Sequence, residues 1–106
     1  MRARWAGAGA VVLLLAALGV AFAVPRKHSV KLQWKPSPTA GVDGYNVYRS
    51  TSPDGPFAKI NGKELVHGLV YVDRHVKNGH HYYYTVRSVQ GNLEGADCNH
   101  IEVYIP

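Results

Sequence analysis

The stretch that decides the fold is Asn78-Gly79-His80-His81-Tyr82-Tyr83-Tyr84-Thr85-Val86-Arg87-Ser88-Val89-Gln90. It begins with an Asn-Gly dipeptide, which is typical of tight turns. The residues that follow are mostly aromatic or β-branched, which favours a β-strand. Their alternating character is typical of a strand with one buried face. The stretch therefore predicts a turn followed by a long amphipathic strand.

Other segments of the chain also have strand character and are separated by turn-forming residues. Val30, Leu32 and Trp34 alternate with polar residues, which is the period of two expected for a half-buried strand. No segment has helical periodicity, so the chain is predicted to be an all-β antiparallel sandwich. The further predicted strands comprise residues 30–34, 45–49, 57–60, 69–73 and 101–105.

Residues 1–23 are predicted to be a signal peptide. They combine a short basic start, the apolar residues 11–20 and the small-x-small sequence Ala21-Phe22-Ala23, so cleavage is expected after Ala23. The alternative is an uncleaved membrane anchor, because residues 5–24 form an uncharged run as long as the ~20 residues of a membrane helix. Either way, residues 24–106 are expected to be exported, as a secreted, periplasmic or cell-envelope domain.

Charge and cysteine content limit the class of protein. The formal charge of +5 for 106 residues falls to +3 when Arg2 and Arg4 are removed with the leader, which does not favour binding to nucleic acid. Cys98 is the only cysteine, so a disulfide within the domain is impossible. A small domain without disulfides depends on its hydrophobic core, which favours a two-sheet sandwich over a loop-rich scaffold.

The sequence predicts no catalytic site, metal site or cofactor. His80 and His81 would point to opposite sides of an extended chain, and neither HExxH nor a paired cysteine spacing occurs. Cys98 and His100 would share a face in a regular strand and could form a nucleophile pair. No other catalytic group accompanies them, so Asp97 to Asn99 is more simply a loop. A partly exposed Cys98 thiol could alternatively form an intermolecular disulfide after export.

In combination, these segments resemble a fibronectin type III domain. Residues 30–34 match strand B, residues 44–50 match strand C, and residues 79–89 match strand F with its tyrosine corner. The resemblance implies an immunoglobulin-like antiparallel β-sandwich in which strands A, B and E pack against C, C′, F and G. The residues that it places in the core are Trp34, Tyr45, Tyr82 and Tyr84.

One departure from the family pattern concerns the first strand. Only residues 24–29 lie between the predicted cleavage site and strand B, so six to seven strands are expected, with strand A short or missing. Strand B would then be a sheet edge, open to a strand from a partner. Lys31 and Lys35 would point outward from that edge and discourage uncontrolled pairing.

The predicted binding face is the solvent side of strands C, F and G. Tyrosine and arginine are enriched in interface hot spots. The structural alternative is that cross-strand tyrosine pairs and an Arg87–Glu102 pair only stabilise the sheet. The residues of this candidate binding face are Tyr48, Tyr83, Arg87, Glu102 and Tyr104.

The resemblance implies a binding role, since domains of this family are usually non-catalytic. We expect a non-catalytic extracellular or cell-envelope interaction module that binds a protein partner. The alternative is a carbohydrate-associated accessory domain of a secreted polysaccharide-processing system, because such domains often accompany these enzymes in bacteria. A membrane would be a partner only if the leader is uncleaved.

Overall fold

Two antiparallel sheets form the sandwich in the computed structural model, which describes residues 21–106. One sheet has the strand order β1-β2-β5, and the other has the order β4-β3-β6, with β7 and β8 both paired to the far side of β6. This confirms the predicted all-β sandwich. The strands are β1 (Ala21–Arg26), β2 (Ser29–Trp34), β3 (Gly44–Ser50), β4 (Ala58–Lys59), β5 (Val70–Asp73), β6 (His81–Gln90), β7 (Leu93–Glu94) and β8 (Ile101–Tyr104).

The core lies between the two sheets and is filled mainly by alternate residues of β2, β3, β6 and β8. Trp34 and Tyr45 are both buried, and their rings meet edge to face with centroids 5.6 Å apart. From β6, Tyr82 and Tyr84 point inward and are also buried. The Tyr82 hydroxyl accepts a hydrogen bond of 2.9 Å from the backbone N–H of Lys77, which fixes the turn before β6 as a tyrosine corner does.

A buried carboxylate ties the two sheets together. Asp73, at the end of β5, is 2% exposed and accepts hydrogen bonds from the Tyr84 hydroxyl at 2.6 Å and from Arg49 Nη1 at 2.9 Å. The backbone N–H of His75 donates a third bond at 3.0 Å. Burial by itself would raise the pKa of Asp73, but these three bonds outweigh it and hold the pKa below its ordinary value.

The first strand is present, so the expectation of a short or missing strand A with an open strand B is wrong. β1 pairs with β2 over six residues, and β2 lies between β1 and β5. The prediction failed because Ala21-Phe22-Ala23 was counted with the leader, whereas Ala21 is 2% exposed in the core. The Asn99 carboxamide also bonds both the N–H and the C=O of Ala21, at 2.9 and 3.1 Å.

The last strand of the second sheet is interrupted, which explains why eight strands are found instead of six to seven. A two-residue turn links β6 to β7, and its first residue, Gly91, has the positive φ of 58° that a type II′ turn requires. Beyond β7, Cys98 N–H bonds Val86 C=O at 3.0 Å, whereas Ile101 pairs with Tyr84. One extra residue is therefore inserted before β8, as in a β-bulge.

Residues 1–20, which hold most of the predicted leader and most of the alternative membrane anchor, lie outside the described residues. Among residues 21–106, no helix is long and apolar enough to cross a membrane. The predicted cleavage after Ala23 stays a prediction. If it occurs, it removes the first half of β1 from the domain.

Candidate binding face

The five residues of the candidate binding face all lie on the outer side of the second sheet, but the structure divides them into two groups. Tyr48 and Arg87 are half-buried beneath the segment that joins β7 to β8. Tyr83, Glu102 and Tyr104 lie further along β6 and β8, away from that segment. The two groups differ in how many of their polar atoms already form hydrogen bonds within the domain.

Arg87 is surrounded by partners from its own chain. Its Nη1 donates to Glu94 Oε1 at 3.1 Å, and its Nε donates to Asp97 Oδ1 at 2.6 Å. Its guanidinium carbon lies 4.4 Å from the centroid of the Tyr48 ring, a cation–π geometry. We call this group the Arg87 network; its members are Asn46, Tyr48, Arg87, Glu94, Asp97 and His100.

Glu94 accepts three hydrogen bonds and is the centre of the network. Besides the bond from Arg87, its Oε2 accepts bonds from the Tyr48 hydroxyl at 2.5 Å and from Asn46 Nδ2 at 2.8 Å. Burial alone would raise the pKa of Glu94, but the bonds from Tyr48, Asn46 and Arg87 outweigh it and lower the pKa. Burial, followed by the bond to this carboxylate, raises the pKa of Tyr48 to about 12.

Asp97 extends the network to the edge of the face. Its Oδ2 lies 3.0 Å from His100 Nε2, and the His100 ring packs against Phe57 with centroids 4.9 Å apart. Burial would raise the pKa of Asp97, but hydrogen bonds from His100 and Arg87 lower it overall. Since the polar atoms at its centre bond one another, the Arg87 network holds the β7–β8 segment over the sheet instead of offering its charges to a ligand.

The predicted Arg87–Glu102 pair is wrong, because the register of β6 and β8 places the two residues far apart along the sheet. Glu102 lies opposite Tyr83 in the register of β6 and β8. Arg87 lies further along β6, where Cys98 bonds Val86 and therefore brings its neighbour Asp97 beside Arg87. From the sequence, Asp97 belongs to a predicted loop, Glu94 has no assigned role, and His100 is considered only as a partner of Cys98. The available signal for partners of Arg87 was the pair of carboxylates, Glu94 and Asp97, that follow Gly91 in the sequence.

The remaining candidates form an exposed cluster that we call the tyrosine platform. Its members are His81, Tyr83, Glu102 and Tyr104. His81 and Tyr104 are cross-strand neighbours with ring centroids 4.9 Å apart, and Tyr104 is 50% exposed. Glu102 Oε2 lies 3.3 Å from His81 Nδ1 and 3.4 Å from the Tyr83 hydroxyl. Its side chain is 60% exposed, so the carboxylate can accept bonds from a ligand.

Cys98 does not form the nucleophile pair considered from the sequence. It is 1% exposed, so the expectation of a partly exposed thiol is also wrong. Its Sγ accepts the N–H of Val86 at 3.2 Å and donates to Asn99 C=O at 3.1 Å, whereas His100 faces Asp97. Burial raises the pKa of the thiol, which disfavours the nucleophilic thiolate. Within residues 21–106, no group of three His, Cys, Asp or Glu side chains is placed to hold a metal.

No protein-family model matches the chain. An amylopullulanase from Thermoanaerobacter thermohydrosulfuricus is 37% identical over 75 residues, which cover 69% of this chain and 5% of that enzyme. A β-1,2-glucanase structure from Parabacteroides distasonis is similar with a TM-score of 0.68 and 21% identity, covering 87% of this chain and 13% of that one. At that identity, the likeness shows the fold alone.

A solved Fn3-like protein from Clostridium thermocellum is similar over almost the full length of both chains. The TM-score is 0.76 and the identity 28%, and the match covers 88% of this chain and 95% of that chain. The two sheets, β1-β2-β5 and β4-β3-β6 with β7 and β8, have the A-B-E and C′-C-F-G order expected of this family. Residues 21–106 therefore have the fold of a fibronectin type III domain.

Proposed function

We propose that this chain is a carbohydrate-associated accessory domain of an exported polysaccharide-processing system, and that the tyrosine platform binds the polysaccharide. The observation that carries the proposal is the pair of exposed rings of Tyr104 and His81, with the half-buried Tyr83 ring, beside the open carboxylate of Glu102. The amylopullulanase likeness supports it. Because the chain spans only 5% of that enzyme, the likeness supports an accessory role and not its activity.

The chemistry of the platform suits a sugar ring. A pyranose has an apolar face of C–H groups and a rim of hydroxyls, and a tyrosine ring likewise combines an apolar body with a polar tip. The Tyr104 ring can cover the apolar face of the sugar. An ionised carboxylate such as Glu102 accepts hydrogen bonds but donates none, so it suits the hydroxyl rim. The same negative charge repels acidic polysaccharides, so we infer that the ligand is a neutral glycan.

A binding role, and not catalysis, fits the chemistry of both groups. Fibronectin type III domains are generally non-catalytic, and function must be argued from the site. The Arg87 network bonds its own carboxylates, and the Cys98 thiol is buried. The predicted protein partner stays a prediction. It would bind the same tyrosine platform, which is the accessible part of the candidate binding face.

The test is affinity electrophoresis of the full chain in gels that contain pullulan or soluble starch. Tyr104→Ala should weaken binding about tenfold, since covering on the order of 50 Å² of ring surface at ~25 cal/mol per Å² contributes about 1.3 kcal/mol. The matched control is Phe22→Ala, which removes an aromatic ring that is 52% exposed on the opposite sheet. Phe22→Ala should migrate like the wild type.

Glu102→Gln provides a second arm of the test. It keeps the size of the side chain and one acceptor oxygen but removes the negative charge, so binding of the neutral glycans should persist in weakened form. Unretarded migration of the wild-type chain in both gels would contradict the proposed function. Equal weakening by Tyr104→Ala and Phe22→Ala would contradict the platform as the site.

A further inference from the structure

Apolar side chains are concentrated on the outer side of the first sheet, opposite the tyrosine platform. Four large hydrophobic residues are exposed within residues 21–106, and three of them lie here: Phe22 at 52%, Val24 at 37% and Val70 at 42%. The strand register arranges them in two rows, Phe22-Gln33-Val70 and Val24-Lys31-Val72. We call these six residues the outer A-B-E face.

This face is also positively charged. Lys31 lies at its centre, Arg26 and Lys27 follow Val24 at one end of β1, and Lys35 follows β2; all four are exposed. The sequence has no acidic residue between positions 21 and 42. In the three strands of this sheet the only carboxylate is that of Asp73, which is buried in the core with Arg49 and Tyr84.

Three acidic side chains lie on the other sheet. Glu94, Asp97 and Glu102 all lie on its outer side, so the two faces of the sandwich differ in charge. A surface that combines exposed aliphatic and aromatic side chains with lysine and arginine is the composition that binds the interface of an anionic bilayer. A second copy of the chain fits less well, because two copies of this face would bring their lysines together and repel each other.

The sequence before β1 is apolar up to the first residue of the domain. Residues 5–20 are an uncharged, predominantly apolar run, and β1 begins at the next residue. Ala21 belongs to the domain, since its side chain is in the core and Asn99 bonds both of its backbone groups. No linker therefore separates the apolar run from the domain, and Phe22 is only two residues beyond that run.

We propose that the outer A-B-E face lies on the surface of an anionic bilayer. Phe22, Val24 and Val70 then contact the boundary between headgroups and acyl chains, and the Lys31 ammonium pairs with lipid phosphates. This orientation turns the opposite sheet, with the tyrosine platform, away from the membrane. The proposal does not depend on which ligand that platform binds.

The experiment measures which face of the full chain contacts lipid. The chain is reconstituted in vesicles of phosphatidylcholine and phosphatidylglycerol that contain a nitroxide-headgroup lipid, and an environment-sensitive fluorophore is attached to Val70→Cys. Its emission should be mostly lost to the nitroxide. The matched control is Tyr104→Cys, also an exposed apolar position but on the opposite sheet, whose emission should be retained. Cys98 is buried and should not take the label.

Charge variants test the role of the lysine. Lys31→Glu should restore most of the emission of the label at position 70, and so should replacing phosphatidylglycerol by phosphatidylcholine. The matched control is Lys59→Glu, which makes the same charge change at an exposed residue of β4 in the other sheet and should leave the quenching unchanged. Val24→Cys serves as a second labelling position if Val70→Cys does not fold.

Three results would overturn the proposal. Equal quenching at positions 70 and 104, or none at either, would show that the outer A-B-E face is not the membrane contact. A change in emission that depends on protein concentration and not on the nitroxide would indicate a second copy of the chain as the occupant. An intact mass of the exported protein that begins at Val24 would remove Phe22 and the first half of β1 from this face, whereas a mass that includes Ala21 and the residues before it is expected.

Discussion

Replacing Tyr84 by phenylalanine should destabilise the domain through one hydrogen bond. The Tyr84 side chain is fully buried, and its hydroxyl donates at 2.6 Å to Asp73, the carboxylate that joins β5 to the other sheet. Phenylalanine keeps the ring, so the packing of the core is conserved. The adjacent change Tyr83→Phe is the matched control, because it removes the same hydroxyl from a side chain on the outer face, 3.4 Å from Glu102.

The expected loss follows from the burial and charge of the acceptor. Hydrogen bonds to charged groups contribute about 1.5–3 kcal/mol, so Tyr84→Phe should lower the free energy of unfolding by about 2 kcal/mol. For a domain of this size the melting temperature should fall by roughly 8–16 °C. Tyr83→Phe should leave both quantities unchanged, since water can replace the bond that it loses. Urea unfolding monitored by tryptophan fluorescence measures both variants, with an unchanged m-value expected.

The difference between the wild type and Tyr84→Phe should depend on pH. Burial would raise the pKa of Asp73, but the bonds from Tyr84, Arg49 and His75 lower it in the folded state. A lowered folded-state pKa contributes stability that is fully present above the unfolded pKa of ~3.9 and is lost as pH falls through the folded value. The difference should therefore be constant from neutral pH down to about pH 5 and shrink in stronger acid.

Two results would refute this reasoning. If Tyr84→Phe were as stable as Tyr83→Phe, the buried bond to Asp73 would contribute nothing beyond what water provides. If Tyr84→Phe lowered the free energy of unfolding equally at neutral pH and in strong acid, the charge of Asp73 would not cause the decrease. A change in core packing would then have to explain it.

Two further predictions concern the outer face and the cysteine. Glu94→Gln should lower the free energy of unfolding by about 1 kcal/mol at neutral pH and by less in acid, because the lowered folded pKa of Glu94 contributes stability only above that pKa. The control Glu102→Gln changes a side chain that is 60% exposed, so it should leave the free energy of unfolding unchanged in the same denaturation assay. The buried Cys98 thiol, with its raised pKa, should react with a maleimide far more slowly in the folded chain than in urea, and equal rates in the two conditions would contradict its burial.

The local pattern and the family resemblance were together sufficient for the sheet and for the interior of the core. Alternation predicts the strands, and the resemblance to the fibronectin type III family places Trp34, Tyr45, Tyr82 and Tyr84 inside, where all four are buried. Of the outward residues that alternation gives for β6, Tyr83 and Arg87 are half-buried on the outer face, whereas Thr85 and Val89 are buried. Alternation could not show that Arg87 is already bonded, since its partners Glu94 and Asp97 come from a segment without alternation.

Composition and period thus determined the fold class of this protein, and the tertiary structure decided which outward residues are available to a ligand. The register of β8 on β6 placed Glu102 opposite Tyr83, and the segment before β8 brought Asp97 to Arg87. The start of the domain was also decided in three dimensions. Ala21 to Ala23 satisfy a cleavage motif locally, but only pairing with β2 shows that they complete a sheet. Registers and pairings join residues far apart in sequence, and a local pattern does not encode them.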